Sequence, residues 1–457
     1  MEAQIETISK VPKFGIRHEM SILLHTFMLF MYSTRVILPL AIVAMIDSTA
    51  SSNPDIPTYD WTNTGVILSA FFWSYVALQP FSGYIYLRFG LKNVIFITSL
   101  INSVTFFIIP FIVFRWDYNG LIVCRVIQGI CHGFYYPGVV AAFGLWIPLN
   151  ERSFLTMIVM AGYYVSCIIS MLITGYVSAS WWGWPAAFYI FGVFCILWCV
   201  IWWIFAADSP KKHPRITKSE RKYIEESLQS AEKTENKSIP LKAIFTSVPF
   251  WSALIANIGY SWVLTISETQ VPTYLKNIFN FDIASNGATA SSPYIVQLLA
   301  TVLLAPLGDF LVSRNYIMLM TWRRISQFLG AIVPAFVIVW LAFIRAEQTS
   351  LAVFLLNVGL GMQSITLFGS SISHVDLTPR FAGVAFCIDN TTVQVLCIFA
   401  PIMVQYVVTD LTDLILWRSV FLSMAGLCML TSLVYMVFGS ADIQWWNDGS
   451  KKKETDN

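Results

Sequence analysis

Long apolar runs separated by short polar breaks dominate the chain, and these runs predict its elements. Twelve of them reach about 20 residues or more, the length a helix needs to cross the hydrocarbon core of a bilayer. They lie at 20–46, 63–87, 93–114, 120–147, 154–178 and 184–206, then at 247–275, 286–312, 317–344, 350–373, 380–409 and 416–438. The runs are continuous rather than alternating, which excludes a transmembrane β-barrel. One long polar break, 207–245, divides them six and six. The expected layout is therefore a tail (1–19), a six-helix half (20–206), a linker (207–245), a second six-helix half (246–440) and a tail (441–457). The fold class is an all-α membrane protein with twelve transmembrane helices.

Composition sharpens the class. Hydrophobic residues make up 56% of the 457 and charged ones 12%, about half the charged share of soluble domains. The net charge of +2 says little; its placement says more. Twelve crossings put both tails and the linker on one side. That side collects 22 of the 28 basic residues, and the other receives Arg115, Lys276, Arg345 and Arg418. The positive-inside rule then predicts cytosolic termini. Residues 1–19 are polar and the first apolar run is too long for a cleavable signal, so it is expected to remain as the first span. The linker mixes both signs, which argues against nucleic-acid binding. No phosphate-cradling glycine loop is present, which argues against an ATP-driven pump. The eight cysteines show neither metal spacing nor a disulfide framework, so no metal site is expected.

Two basic residues remain inside the apolar runs, Arg35 and Arg125. An arginine at mid-membrane costs about 3 kcal/mol or more, so it normally faces a cavity or a partner. At 100° per residue, Arg125, Gly129, His132 and Tyr136 fall within about 60° on one helix face. Gly129 and Gly133 allow a neighbouring helix to approach closely, and Pro137 is expected to weaken the helix just beyond. This stripe reads as a cation lining a path for an anionic solute; the alternatives are a snorkelling arginine or a structural ion pair. Two buried acids add candidates. Glu268 lies inside the seventh run, unless that position is an outer vestibule. Asp389, followed by Asn390, lies inside the eleventh, where it either pairs with Arg35 or Arg125 or takes up a proton.

The segment GYIYLRFGLK (83–92) resembles the loop signature between the second and third helices of the major facilitator superfamily. Gly83, Arg88, Gly90 and Lys92 match it, whereas Leu87 replaces its aspartate and Leu91 an arginine. A diluted echo, LGDFLVSR (307–314), retains Asp309. This resemblance implies two pseudo-symmetric six-helix halves. A closer one follows from RVIQGICHGFYYPG (125–138), DSPKKHPRITKSERKYIE, SIPLKAIFTSVPFW, VPTYL and HVDLTPRFAG (374–383), in that order. These are similar to the anion transporter group of sodium–phosphate cotransporters, sialin and vesicular glutamate transporters.

The group's arginines of the first and fourth helices map onto Arg35 and Arg125. Two guanidiniums from different helices can grip a carboxylate or phosphate through bidentate hydrogen bonds. Departures are equally informative. His132 stands where relatives often carry a fourth-helix glutamate, and Gln270 where sialin-like members have the acid of T-E-x-P-T-Y. Tyr260 and Leu68 replace an arginine and a histidine of vesicular glutamate transporters, which argues against transport of that type. Substrate-binding candidates are thus Arg35, Arg125, His132, Tyr136 and Tyr260. Coupling candidates are His132, Glu268, Asp389 and Asn390, with His132 either a proton acceptor or a hydrogen-bonded packing residue. The coupling ion is Na⁺, held by Asp389, Asn390 and carbonyl oxygens, or H⁺, with the missing fourth-helix acid favouring Na⁺. Arg88, Asp309, His374, Asp376 and Arg380 are expected to form gates or structural links, with His374 and Asp376 in the turn before the eleventh span.

The expected function is secondary active transport of an organic or inorganic anion by alternating access. Alternatives are a proton-coupled lysosomal exporter of acidic sugars or amino acids, or a solute sensor that does not transport. An enzyme fits poorly, because no nucleophile–base pair or metal cluster can be placed. No cofactor beyond the coupling ion is expected. The expected partners are a small anionic solute and the lipid bilayer, with no nucleic acid, and the chain is expected to work as a monomer. The site of action is the plasma membrane or a lysosomal or vesicular membrane.

Overall fold

The structure is a computed structural model, which describes Pro12 and residues 14–232 and 240–447. Lys10, Lys13, Lys233, Lys237 and Lys451 to Lys453, used in the charge argument, lie outside the described residues, as do parts of both tails and of the linker. Apolar helices account for all the predicted spans: α1 (Ile16–Ile46), α2 (Thr64–Phe89), α5 (Phe154–Ala179), α6 (Gly183–Phe205), α7 (Val248–Phe279), α8 (Ile283–Ser313), α9 (Leu319–Ala342), α10 (Thr349–Leu377), α11 (Ala382–Val407) and α12 (Leu414–Phe438). The stretch Leu91–Trp146 holds the remaining two. At 1.5 Å per residue its 56 residues would extend about 84 Å, far more than one crossing. It reverses at Asp117, where φ is 49° and ψ −139°. We call its limbs α3 (91–116) and α4 (118–146). The linker forms a helix at Lys218–Glu232.

Even crossing numbers bring both described ends and the linker to one side, here termed the terminal face. The linker helix is anchored there: Glu220 is 1% exposed and accepts hydrogen bonds from the first backbone N–H groups of α1, Ile16 (3.1 Å) and Arg17 (3.1 Å). It thereby satisfies donors that every helix start leaves open.

The apolar cores show how the halves meet. On the face remote from the termini one continuous cluster takes residues from both halves, among them Ile42, Met45, Met171, Val271, Ile283 and Val404. At the terminal face the cores are separate. Met20, Trp146 and Trp202 belong to a cluster of the first half, and Ile244, Phe250 and Leu377 to one of the second. Glycine makes the shared side tight. A Cβ on Gly175 of α5 would lie 2.8 Å from the Ile283 carbonyl oxygen and 3.1 Å from the Gly287 Cα of α8. Such small-residue contacts let helix backbones pack directly. An ion pair between Asp47, after α1, and Lys276 of α7 joins the halves on the same side.

Two expected geometries need correction. The polar stripe of α4 does not run straight to Tyr136, because the helix breaks at 133–134 and resumes at Tyr135. Pro137 has no N–H for the Gly133 carbonyl, so the register is lost there and Tyr136 turns to stack on Phe386 of α11 (4.8 Å). His374 and Asp376 are not in the turn before α11. They occupy the last helical turn of α10, Ser373–Leu377, and His374 is buried.

Candidate functional site

Helices α1, α2, α4, α5 and α7 converge on a polar centre within the apolar core. α4 comes close to α2 because Gly129 and Gly133 carry no side chain; a Cβ on Gly133 would lie 2.9 Å from the Tyr75 carbonyl oxygen. This proximity brings Phe71 of α2 between the two arginines. Its ring centroid is 5.5 Å from the Arg35 guanidinium and 4.6 Å from that of Arg125. Phe72 adds a second ring at 5.3 Å from Arg35. Cation–π attraction of this kind is stronger where water is excluded.

The two arginines differ in what they hold. Arg35 Nη2 donates to Glu268 Oε2 of α7 at 2.6 Å, and the Tyr163 hydroxyl of α5 donates to the other carboxylate oxygen. Glu268 is 2% exposed, so it is a buried counterion and not a vestibule charge. Arg125, also 2% exposed, has no carboxylate partner among the described residues. Its Nη1 donates to Gln128 Oε1 at 3.0 Å, and its Nε has no acceptor. Gln128 Nε2 likewise lacks one. Two buried donors without acceptors are costly unless a further acceptor arrives. An anion with two oxygens meets that requirement at a fork-shaped donor.

His132 stands close by in a different role. The Thr34 hydroxyl donates to the Met31 carbonyl (2.7 Å) and accepts from Asn102 Nδ2 (3.1 Å), so His132 Nε2, at 3.1 Å, is the donor of the third bond. The ring packs against Phe71 at 4.9 Å and Tyr135 at 4.5 Å. This is a held packing arrangement. Tyr260 lies half-buried on α7.

The remaining candidates gather elsewhere. Asp389 is buried, but its partners are His374 of α10 (3.3 Å) and Asn257 of α7 (3.1 Å), and neither Arg35 nor Arg125. Its place inside the eleventh apolar run gave Asp389 a depth in the membrane without fixing which neighbour it meets. Asn390 turns away from it, donating to the Tyr75 hydroxyl of α2 at 3.4 Å. The structure therefore does not bring the Asp389 and Asn390 side chains to one point. Asp376 accepts a bidentate pair from Arg323 of α9, at 2.7 and 3.1 Å, and ties α9 to α10. The Arg380 backbone N–H donates to Asn447 Oδ1 at 3.2 Å. Arg88 and Asp309 are exposed and enter no ion pair among the described residues, so the expected gate contact is not made by these two. Leu87, in place of the motif aspartate, is 89% exposed. Asp208, after α6, supplies a carboxylate instead and accepts from Lys92 N at 3.0 Å.

Sequence reasoning missed Tyr163 and Asn257. Tyr163 belongs to an uncharged apolar span, where nothing local distinguishes it from packing. Asn257 does interrupt an apolar run, and that polar interruption was the available signal.

With this geometry in hand, the comparisons define the lineage. Residues 22–401 match the family model of the Major Facilitator Superfamily. A putative inorganic phosphate cotransporter of Drosophila melanogaster is 31% identical over 453 residues, covering 93% of this chain and 85% of the relative. Sodium-dependent phosphate transport protein 1 of Mus musculus is 28% identical, with 96% of each chain covered. Sialin of Homo sapiens is 29% identical, covering 94% of this chain and 90% of the relative. Among solved structures, a bacterial homologue of the human lysosomal transporter Spinster, inward-facing and unoccupied, superposes with a TM-score of 0.66 at 13% identity, over 93% of this chain and 97% of that one. A D-xylose–proton symporter gives 0.66 at 13% identity, over 92% and 98%. At such identity these structures speak for the fold alone, with its twelve helices in two halves. The chain belongs to the Major Facilitator Superfamily, in the group that contains the phosphate cotransporters, sialin and the vesicular glutamate transporters.

Proposed function

We propose that this protein is a secondary active transporter of a small organic or inorganic anion, phosphate-like or carboxylate. It works by alternating access and couples the anion to Na⁺ or H⁺. The observation that carries this reading is Arg125, a buried guanidinium whose Nε, like the neighbouring Gln128 Nε2, lacks an acceptor. The relatives' names, phosphate cotransporters and sialin, support an anionic cargo. Tyr260 and Leu68, at positions where vesicular glutamate transporters carry basic residues, argue against that particular cargo.

Glu268 gives the site a second function. It occupies Arg35 as a tethered carboxylate, so an arriving anion competes with it for the same guanidinium. Because Glu268 belongs to the second half and Arg35 to the first, displacing it weakens a link that holds the halves together at the centre of the spans. Binding is thereby tied to rearrangement of the two bodies. The protein is a multi-pass membrane protein; the basic residues of the terminal face support a cytosolic position for that face. The chain works as a monomer in the plasma membrane or a lysosomal or vesicular membrane, and carries no enzyme chemistry.

The test is uptake of labelled phosphate, glutamate, urate and sialic acid into proteoliposomes of the purified chain, with Na⁺ and pH gradients imposed separately. Saturable, mutually competitive uptake of at least one anion is expected. A protein that binds these anions without uptake or counterflow of any of them is a sensor, and the proposal fails.

A further inference from the structure

Near the terminal face lies a polar cluster that the arginine site does not use. His374 Nε2 is 3.3 Å from Asp389 Oδ2, and Asn257 Nδ2 donates to the same oxygen at 3.1 Å. The hydroxyls of Ser370 and Ser371 each donate to Asn257 Oδ1 at 3.1 Å, which fixes the amide with its NH₂ towards the acid. His374 is 1% and Asp389 3% exposed. Asp389 Oδ1 and both ring nitrogens of His374 have no hydrogen-bond partner among the described residues, so the 3.3 Å between Nε2 and Asp389 Oδ2 is a close approach and not a hydrogen bond. A buried carboxylate with one oxygen unmatched is costly to keep ionised beside a neutral imidazole. One proton removes that charge. We infer that His374 and Asp389 form a binding site for one proton, and that this proton is the coupling ion. The inference rests on the reading of the chain as an anion transporter.

Charge balance supplies the stoichiometry. Four formally charged side chains lie deep in the spans, Arg35 and Arg125 against Glu268 and Asp389. With His374 neutral they sum to zero. A monovalent anion at Arg125 adds one negative charge, and one proton on the His374–Asp389 pair adds one positive. Empty and doubly loaded carriers are both neutral inside, whereas either singly loaded form buries a net charge, which the low-dielectric interior penalises. One proton therefore travels with one monovalent anion. The proton comes from hydronium, which is left as water, and forms an N–H bond at the imidazole or an O–H bond at the carboxyl.

The surroundings place the pair beside a contact between the halves. Phe386 lies between His374 (6.3 Å) and Tyr136 of the other half (4.8 Å), so loading is felt where the halves touch. Other groups around the pair are few. Tyr136 of α4 is titratable and interacts electrostatically with Asp389. Asp376 is held by Arg323 of α9. From α7 come Asn257 and Phe250, and from α12 Tyr435, which bonds Ser373.

Two measurements on the full chain in liposomes decide the matter. The first is infrared difference spectroscopy across a pH step, with no anion present. A protonation band of buried carboxyl or imidazole is expected, altered in both His374→Gln and Asp389→Asn and unchanged in Asp309→Asn. Should Asp389→Asn fail to fold, His374→Gln, which keeps the acid and its Asn257 bond, decides. The second measurement uses dihydrogen phosphate as probe. Accumulation of about tenfold per unit of pH gradient is expected for 1:1 coupling, independent of membrane potential. In the two variants, gradient-driven accumulation falls to none; phosphate counterflow persists in Asp389→Asn, whose anion-loaded form is neutral inside. A band that survives both substitutions, or full accumulation on a Na⁺ gradient with no effect of pH, overturns the proposal. If phosphate is neither accumulated nor exchanged by the unaltered protein, the anion reading fails for that probe, and the spectroscopic arm still decides the proton site.

Discussion

The two halves contribute opposite charges to the membrane interior. Arg35 and Arg125 come from the first half, Glu268 and Asp389 from the second. Glu268 reaches across to Arg35, whereas Asp389 turns back into its own half, to His374 and Asn257. An ion pair that spans two bodies is made in one arrangement and broken in another, so it biases the choice between arrangements. A pair within one body travels with that body and can carry a ligand without opposing the motion. The faces differ in the same sense. The remote face is sealed by a shared core, glycine contacts and the Asp47–Lys276 pair, while the terminal face keeps two separate cores. Conformational preference is thus written in contacts between halves, and solute chemistry in groups without such contacts, Arg125 above all.

The largest effect expected from breaking this division is that of Arg125→Ala. Truncating one partner of a buried, hydrogen-bonded charge pair costs about 2–5 kcal/mol, so uptake should fall at least about 30-fold. The initial rate of labelled phosphate uptake, normalised to reconstituted protein, reads this. Arg125→Lys keeps the charge without the fork and should fall in between. Normal transport by Arg125→Ala would move the anion site elsewhere.

The next variant, Glu268→Ala, is read in stability rather than in uptake. It leaves Arg35 buried without its counterion, a loss of about 3–5 kcal/mol for a broken buried pair. A lower apparent Tm in detergent is expected, recovered in part by added anion, which takes the vacated place on Arg35. Asp389→Ala should also lower the Tm, with less recovery by anion, which then has only Arg125 to bind because no second guanidinium is vacated. Equal rescue of both variants would dissolve the contrast between crossing and non-crossing acids.

The spans were legible because apolar length is a local quantity, and their ends shifted where a partner intervenes. α8 begins at Ile283, ahead of the predicted 286, because Asp282 caps it through Ala284 N and Ser285 N, both at 3.0 Å. α1 begins at Ile16 because Glu220, 204 residues away, accepts its backbone N–H. Arg35, Arg125, Glu268 and Asp389 stood out as charges in apolar runs, yet their partners did not. Depth in an apolar run leaves the neighbouring helix open, so Asp389 was weighed against arginines when its partner is His374. Likewise, the sequence leaves His132 either a proton acceptor or a hydrogen-bonded packing residue, and only the fold supplies its Thr34 bond and aromatic neighbours.

The smallest effect expected is that of Lys276→Met, and it sharpens the comparison through pH. The Asp47 and Lys276 side chains are 14% and 27% exposed, and pairs open to solvent contribute about 1 kcal/mol or less. Burial pushes the Asp47 carboxyl up, but hydrogen bonds from Lys276 and Thr49 outweigh it and hold the group below its ordinary value of 3.8. A carboxylate depressed in the folded state contributes stability that is complete above its unfolded value and is lost as pH falls through the lowered one. Between about pH 5 and 8 the remote-face latch therefore does not titrate. Removing it should raise exposure of that face by about fivefold at most, and equally at both ends of the range. A cysteine introduced by Ala50→Cys, modified by a water-soluble maleimide, measures the exposure; the ratio of variant to parent rates cancels the thiol's own ionisation. A constant ratio from pH 5 to 8, beside a pH-dependent effect of His374→Gln, would assign proton sensitivity to the terminal side. A ratio that collapses towards one at the acid end would mean that the latch itself titrates, and that Asp47 is less firmly held than its bonds to Lys276 and Thr49 imply.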